Sequence, residues 1–183
     1  MDFFKDYYSL IFQSLNSLST DLLVQAAEML KNVRGQGKKV MLAGNGGSAA
    51  TATHLTVDLL KANKIRAMNF NEADLITCFA NDYGYEHWIT KAVEAYGDSQ
   101  DLVILLSISG KSPNVLNAAR RAKELGISVI TLSACQPDNP LRQVGDLNFW
   151  LDSRGSNIVE MTHHIWLVSI VDYIVGKVEY SSN

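Results

Sequence analysis

The sequence predicts an α/β protein in which helices enclose a parallel β-sheet in three layers. Short apolar segments alternate with helical segments along most of the chain, as in repeated β–α units. The strand segments are continuous apolar runs, of which Leu102-Val103-Ile104-Leu105-Leu106 is an example. Such runs indicate strands that are buried on both faces, which is typical of a parallel sheet.

The individual elements follow from hydrophobic periodicity. Apolar residues recur at helical spacing over residues 3–33, and Ser19-Thr20-Asp21 marks a break with a new N-cap, so two helices are expected before Gly35. Strands are expected at residues 39–43, 65–69, 102–107, 128–132 and 147–151. Helices are expected at residues 48–61, 113–125 and 156–175, with helical segments between the second and third strands and a short helix near 139–144.

Length and composition indicate one domain, with an N-terminal helical segment at residues 1–36 and an α/β core with a closing helix at 37–183. The net charge of -3 argues against a nucleic-acid partner. No apolar run approaches the roughly 20 residues of a membrane span, so no membrane partner is expected. Cys78 and Cys135 lack metal-ligand spacing and fit reduced thiols in the cytoplasm.

Two loops rich in glycine and serine each follow a predicted strand and precede a predicted helix. They are Gly44-Asn45-Gly46-Gly47-Ser48 and Ser107-Ile108-Ser109-Gly110-Lys111-Ser112. Glycines let the backbone turn tightly with its N–H groups toward a ligand, and the following helix adds the positive end of its dipole. Because open parallel sheets bind ligands at the carboxyl ends of their strands, we expect the loops to form one anion-binding site.

The second loop has more hydroxyl groups than helix capping requires. Ser112 before Pro113 suits an N-cap, but Ser107 and Ser109 add two further hydroxyls. The loop lacks the lysine-serine/threonine ending of a nucleotide P-loop, and the first loop lacks the third glycine of a dinucleotide-binding motif. Hydroxyls with backbone donors therefore favour a monophosphate ester, while Lys111 is either an added charge or a solvated side chain.

Two further groups of residues have more than one interpretation. His54 and Asp58 share a face of the helix after the first loop. The pair is interpreted as two metal ligands, as a base with its orienting group, or as a structural hydrogen bond. The segment Asn81-Asp82-Tyr83-Gly84-Tyr85-Glu86 is either a wall for a polyol or a capped helix start.

The final helix is apolar nearly all round, which indicates burial on several sides. One sheet face cannot cover such a helix, so we infer a multi-subunit core; the alternative is a monomer with a tightly wrapped terminal helix. Glu160, His163 and His164 interrupt this apolar surface at positions i, i+3 and i+4, and they are either core residues or functional ones.

Three segments resemble the sugar isomerase (SIS) domain family: Gly44-Asn45-Gly46-Gly47-Ser48-Ala49-Ala50, Asn81-Asp82-Tyr83-Gly84 and Ser107-Ile108-Ser109-Gly110-Lys111-Ser112-Pro113-Asn114. The resemblance covers nearly the whole chain. It implies a flavodoxin-like five-stranded sheet, a homotetramer with sites shared between subunits, and aldose–ketose isomerisation of a sugar phosphate such as sedoheptulose 7-phosphate. The sugar-phosphate contacts it implies fall on Asn45, Gly46, Gly47, Asn81, Asp82, Ser107, Ser109 and Ser112, and we add Ser48 and Glu160 as candidates.

This sequence departs from the family pattern at the positions that carry chemistry. In the family, a glutamate after the first loop and a histidine in the last helix move a proton between C1 and C2. Zinc can bind through a histidine, that glutamate, a glutamine and the last-helix histidine. Here His54 and Asp58 take the first two positions, whereas Val159 and Leu167 take the others, and Ile108 replaces a usual threonine. Since valine and leucine cannot ligate zinc, no cofactor is assigned, with His54 and Asp58 as the only candidate ligands.

Two functional hypotheses follow from these departures. In the first, His163 takes over as the catalytic histidine one turn from Leu167, with Asp58 as its partner, and the chain isomerises a sugar phosphate. In the second, the fold keeps its phosphate site without the chemistry, as in SIS relatives that sense sugar phosphates or act in assembly. A purely structural oligomer without phosphate affinity is a third class.

Overall fold

The computed structural model describes residues 2–179, along which seven helices and five strands alternate. The helices are α1 (Phe3–Leu15), α2 (Thr20–Gly35), α3 (Gly47–Lys61), α4 (Ala73–Tyr83), α5 (Trp88–Tyr96), α6 (Pro113–Glu124) and α7 (Ser156–Val175). The strands are β1 (Lys39–Gly44), β2 (Arg66–Asn69), β3 (Leu102–Leu106), β4 (Ser128–Ala134) and β5 (Leu147–Leu151).

The five strands form one parallel sheet in the order β2-β1-β3-β4-β5. β1 and β3 are neighbours although α3, β2, α4 and α5 separate them in sequence, and their register places Val40 beside Leu102 and Gly44 beside Leu106. The strand order therefore reverses between β1 and β3, and their carboxyl ends adjoin at this switch point. The predicted five-stranded parallel sheet is confirmed.

Apolar residues on both faces of the central strands hold the helices to the sheet. Val40 and Leu42 of β1 join a core cluster with α2, α3 and α7, whereas Met41 and Ala43 join a second cluster with α5 and α6. Every residue of β3 is buried. The predicted three-layer architecture is confirmed, because a run that is apolar throughout directs side chains into two cores.

The two N-terminal helices begin and end close to the predicted break. Ser19 is the N-cap of α2, where its hydroxyl accepts a hydrogen bond from the Asp21 N–H at 3.3 Å. α1 packs against α7, and the Trp166 indole N–H donates to the Leu15 carbonyl at 3.0 Å. This contact joins the two ends of the described chain.

α7 contradicts the expectation that no segment approaches the length of a membrane span. It is long and apolar enough to cross a bilayer by length and composition, although core helices pass the same test. Ile158, Val159, Trp166 and Ile170 lie in the core cluster with α2 and α3. A single such helix within residues 2–179 is weak evidence for a span.

The short helix predicted near 139–144 is wrong. Successive turns replace it, in which the N–H of Gln143 donates to Pro140 and that of Val144 to Leu141 at 3.3 and 3.1 Å. The buried Asn139 side chain donates to the Ser133 hydroxyl and the Gln136 carbonyl at 3.0 and 2.8 Å. Hydrogen bonds of a buried side chain therefore fix this segment, and such bonds leave no periodicity in the sequence.

Candidate functional site

The two predicted loops meet at the switch point between β1 and β3 and line a single cavity of about 230 Å³. Asn45 and Ser48 come from the first loop and the start of α3. The complete lining is Asn45, Ser48, Leu106, Ser107, Ile108, Ser109, Ser112 and Ser156. The structure thus brings together five of the predicted contact residues.

Hydroxyl groups supply most of the polar lining. The Ser107 hydroxyl donates to the Ser112 hydroxyl at 3.0 Å, and the Ser109 hydroxyl accepts from the Lys111 N–H at 3.2 Å. Ser112 stands at the N-cap of α6, but its hydroxyl pairs with Ser107 across the loop. Since Ser112 accepts in this pair, its own O–H remains able to donate to a ligand in the cavity.

Three helices begin at this cavity. Ser48 lies in the first turn of α3, Ser112 is the N-cap of α6, and Ser156 is the first residue of α7. The first-turn N–H groups of a helix have no partners within the helix, and its dipole places partial positive charge at that end. Three such ends around a hydroxyl-lined cavity favour an anionic group, of which phosphate is the best match. Ser156 was not predicted as a site residue, because only the tertiary fold brings α7 here.

Buried contacts with the β4–β5 connection fix the second loop. Gly110 has a positive φ of 63°, and a Cβ at this position would overlap the Asn139 amide. The Leu141 N–H donates to the Gly110 carbonyl at 3.1 Å. The loop is therefore held in place before any ligand arrives, which lowers the entropic cost of binding.

The Asn45 amide joins the first loop to α6. It exchanges two hydrogen bonds with the Asn114 amide at 2.9 and 3.1 Å, and its oxygen also accepts from the Tyr85 hydroxyl at 3.0 Å. Both lone pairs of the Asn45 oxygen are thus used, so Asn45 can offer a ligand only its remaining N–H. Tyr85 belongs to the segment that the sequence offered as a wall for a polyol or a capped helix start, whereas Asn114 was not predicted as a contact residue.

Tyr85 and Asn114 also line a second cavity of about 290 Å³ beside the first. The two cavities share Asn45 and Ser112, and Glu86 lines the second one. The Asn45–Asn114 pair therefore lies where the two cavities adjoin.

Glu160 of α7 places its carboxylate against Gly47, the first residue of α3. A Cβ on Gly47 would overlap this carboxylate, so only glycine allows the approach. A carboxylate at a helix N-terminus is favourable because it meets the positive end of the dipole. The first loop therefore already has negative charge beside it, which favours the Ser107–Ser112 side of the cavity for a phosphate group.

Asn81 and Asp82 lie outside this cavity, among the exposed residues at the end of α4. The Asn81 amide donates to the Asp82 carboxylate at 2.9 Å, and the Cys78 thiol lies 3.8 Å from the same carboxylate. The predicted contact of these two residues with a sugar phosphate stays a prediction, and the single chain does not place them beside the serine loop.

His54 and Asp58 form part of a chain of four side chains between α3 and α7. His54 Nε2 lies 3.1 Å from the Asp58 carboxylate, and His54 Nδ1 lies 2.8 Å from His164 Nε2. The chain ends at Thr51, whose hydroxyl lies 3.3 Å from His164 Nδ1. Burial, and to a smaller extent the neighbouring His54, holds the pKa of His164 below its usual value, while Asp58 acts in the opposite direction.

The structure does not pair His163 with Asp58 as the sequence suggested, because Asp58 contacts His54, and it is His164 that contacts the other side of the His54 ring. His163 is 1% exposed, and its Nε2 lies 3.2 Å from the Ser133 carbonyl. Within residues 2–179, its Nδ1 atom has no hydrogen-bond partner. Burial lowers the pKa of His163 to about 4, against the weaker effect of the Ser133 carbonyl. His163 is therefore a neutral core residue.

The donor set around His54 does not fit a zinc ion. Among residues 2–179, no group of three or more His, Cys, Asp or Glu side chains is arranged to hold a metal. Both ring nitrogens of His54 already face partners on opposite sides of the ring, so neither is directed toward a common centre. Val159 and Leu167, at the positions of the other expected ligands, are buried and apolar.

Comparisons with known proteins define the class to which this fold and site belong. The SIS domain model matches residues 3–134, and the chain belongs to the SIS domain family. Its relatives include the phosphoheptose isomerase of Fusobacterium nucleatum, 34% identical over 153 residues that cover 81% of this chain and 78% of the relative. The phosphoheptose isomerase of Helicobacter pylori strain P12 is 30% identical over 168 residues, with 88% and 86% covered.

Solved structures agree with these relatives. The phosphoheptose isomerase from Francisella tularensis has a TM-score of 0.86 at 27% identity, and covers 96% of this chain and 95% of its own. The enzyme from Neisseria gonorrhoeae has a TM-score of 0.84 at 26% identity, with 93% and 95% covered. Within the SIS domain family, the chain is thus a member of the phosphoheptose isomerase group.

Proposed function

We propose that this chain is an aldose–ketose isomerase of a sugar phosphate, with sedoheptulose 7-phosphate as the substrate. The observation that carries this proposal is the cavity at the β1–β3 switch point, where three helix N-termini and the hydroxyls of Ser107, Ser109 and Ser112 surround a space of about 230 Å³. Phosphate binds on the serine side of this cavity, because Glu160 already neutralises the start of α3.

The reaction needs a base that moves a proton between C1 and C2 of the sugar. Asp58 supplies the carboxylate, and the adjacent His54 is the proton carrier beside it, at 3.1 Å. Both are partly exposed, with 31% and 52% of their side chains accessible. These residues remain open to a substrate, whereas His163 is closed to one.

We further propose that the active site is shared between copies in a homotetramer. Asp58 lies ten positions after Ser48 in α3, which corresponds to about 15 Å along the helix, so one chain holds the phosphate site and the base far apart. The two helices that carry this chain of side chains, α3 and α7, also expose a set of large apolar side chains. It comprises Val57 and Leu60 of α3, and Met161 and Ile165 of α7.

The N-terminal segment supplies a second exposed apolar surface for this assembly. Phe3, Phe4 and Phe12 of α1 are between 64% and 69% exposed. Exposed aromatic clusters of this kind are typical of interfaces.

The free thiols Cys78 and Cys135 fit the reducing environment of the cytoplasm, where we expect the protein to work.

The direct test is to incubate the protein with sedoheptulose 7-phosphate and to follow formation of the aldose. We expect turnover, and Asp58→Asn lowers kcat by about 1,000-fold because the base is lost. Asp21→Asn on the exposed start of α2 is the matched control and keeps wild-type activity. An Asp58→Asn variant with wild-type activity contradicts this assignment.

One observation favours a second function, that of a sugar-phosphate-binding protein without catalysis. Val159 and Leu167 are buried apolar residues at positions where the family carries polar ones. Under this alternative, sedoheptulose 7-phosphate raises the melting temperature of the protein but is not converted. Thermal shift and turnover measured on the same sample therefore distinguish the two functions.

A further inference from the structure

The contacts of His54 fix which of its two nitrogens carries the proton. A carboxylate only accepts hydrogen bonds, so the Asp58 side favours the proton on Nε2 of His54. His54 Nδ1 then lacks a proton and accepts from its partner 2.8 Å away. That partner, His164 Nε2, must be the donor, because one of two hydrogen-bonded imidazole nitrogens has to carry the proton.

The same logic extends to the other side of the His164 ring. If Nε2 of His164 carries its proton, Nδ1 is an acceptor, and the Thr51 hydroxyl can donate to it at 3.3 Å. Thr51 is 2% exposed, so this end of the chain is held within the α3–α7 contact. All donors therefore point one way, from Thr51 through His164 and His54 toward Asp58.

We propose that His164 is a positioning residue of this site, which fixes the ring orientation and the tautomer of His54 so that its Nε2–H faces Asp58. This inference rests on the isomerase function proposed above. The side chains around His54 do not suit a metal ion that could order its ring. His164 orders the ring by hydrogen bonding instead. The ring packs against His54 with centroids 4.7 Å apart and planes at 65°, which restricts rotation of both rings.

Three variants of His164 separate hydrogen bonding from packing. A glutamine places its amide N–H near the position of Nε2 and can still donate to His54, whereas an asparagine reaches only the position of Nδ1 and Thr51. Leucine removes both contacts. We expect His164→Leu and His164→Asn to lower kcat by about 100-fold with KM unchanged, and His164→Gln to stay within about 10-fold of wild type.

Thr53→Val provides the matched control on the same helix. The Thr53 hydroxyl is exposed and donates to the Ala49 carbonyl of its own helix at 3.0 Å, so its removal leaves kcat unchanged. Equal kcat values for His164→Gln and His164→Asn overturn the proposal, as does wild-type kcat in His164→Leu.

A second measurement keeps the test independent of turnover. The ¹⁵N shifts of the imidazole nitrogens report the tautomer of His54 in the full-length protein. We expect a single Nε2–H form in wild type and His164→Gln, and a mixture of tautomers in His164→Leu and His164→Asn. If wild type does not convert sedoheptulose 7-phosphate, the isomerase function fails and these shifts alone decide the role of His164. The same His54 tautomer in wild type and in all three His164 variants overturns the positioning role of His164.

Discussion

Asn139 occupies the space that a side chain on Gly110 would need. The two residues belong to different connections at the carboxyl edge of the sheet, and the overlap involves the buried amide of Asn139. The serine loop thus has its shape set from behind by the β4–β5 connection. Gly110 is required twice, for its positive φ of 63° and for this close approach.

We therefore expect Gly110→Ala to destabilise the protein by more than about 2 kcal/mol and to abolish phosphate binding, because backbone strain and steric overlap act together. Urea unfolding and calorimetric titration with inorganic phosphate measure the two effects. Gly37 also has a positive φ, of 67°, but with open space around it. Gly37→Ala therefore costs about 1 kcal/mol and leaves phosphate binding intact. Equal losses in both variants contradict the role of Asn139.

Glu160→Gln tests the division of the cavity into a carboxylate side and a phosphate side. The substitution removes negative charge beside the start of α3 while it keeps the side-chain size. We expect the Kd for inorganic phosphate to fall by roughly threefold at low salt and the difference to shrink as salt is added. Glu28→Gln on α2, where Glu28 pairs with Lys31, is the control and leaves the Kd unchanged. A higher Kd for inorganic phosphate in Glu160→Gln contradicts the division of the cavity into a carboxylate side and a phosphate side.

His163 makes the stability of the protein depend on pH. Its pKa is about 4 in the fold against 6.5 when unperturbed, because burial disfavours the charged ring. Between these values the unfolded chain binds a proton that the folded chain refuses, so stability is lost as pH falls from about 6.5 to 4. The loss in the free energy of unfolding amounts to about 3 kcal/mol once the pH is below both pKa values.

The measurement is the free energy of unfolding in urea at several pH values between 4 and 7.5. His163→Gln retains a donor for the Ser133 carbonyl but cannot titrate, so its stability changes less over this range than that of wild type. His87→Gln replaces an exposed histidine and keeps the wild-type dependence. Parallel curves for wild type and His163→Gln refute the prediction.

Asp101 fixes the amino ends of β1 and β3. It is 1% exposed and accepts from the Lys39 N–H at 3.0 Å, the Asp98 N–H at 2.8 Å and the Lys39 ammonium at 2.6 Å. Burial acts to lower the pKa of Lys39, but the hydrogen bonds to Asp101 and Asp98 outweigh it and raise the pKa.

We expect Asp101→Asn to cost about 3 kcal/mol in urea unfolding, because it leaves the Lys39 ammonium without its buried partner. Asp98→Asn removes the exposed carboxylate that contacts the same ammonium, and it destabilises the protein far less. A smaller loss of stability for Asp101→Asn than for Asp98→Asn contradicts the role of Asp101 in fixing the amino ends of β1 and β3.

The loops at the switch point could be predicted because their chemistry is local. Ser107, Ser109 and Ser112 lie within one turn between a buried strand and a helix, and parallel strands bring such turns to one edge. Ser156 and Asn139 could not be predicted. Ser156 begins α7 and Asn139 lies in the β4–β5 connection, both distant in sequence from the two loops, and no local pattern marks their contacts.

The choice between His163 and His164 shows a second limit. α7 is apolar nearly all round, so periodicity does not tell which of its faces meets β4 and which meets α3. The structure directs His163 to Ser133 and His164 to His54, a difference of one residue and about 100° around the helix. Only the packing of α7 against the sheet resolves it.

The adjacency of β1 and β3 also determines when the site comes into existence. Asn45 and Asn114, whose amides join the first loop to α6, are 69 positions apart in sequence. A nascent chain that has folded β1, α3 and β2 possesses the first loop alone, and the distant pairing with β3 is the slow kind of step in parallel sheets. A phosphate ligand in the cavity that both loops line therefore recognises only the finished sheet. By mass action, the ligand stabilises molecules that have completed folding, but it does not accelerate the strand pairing that creates its binding site.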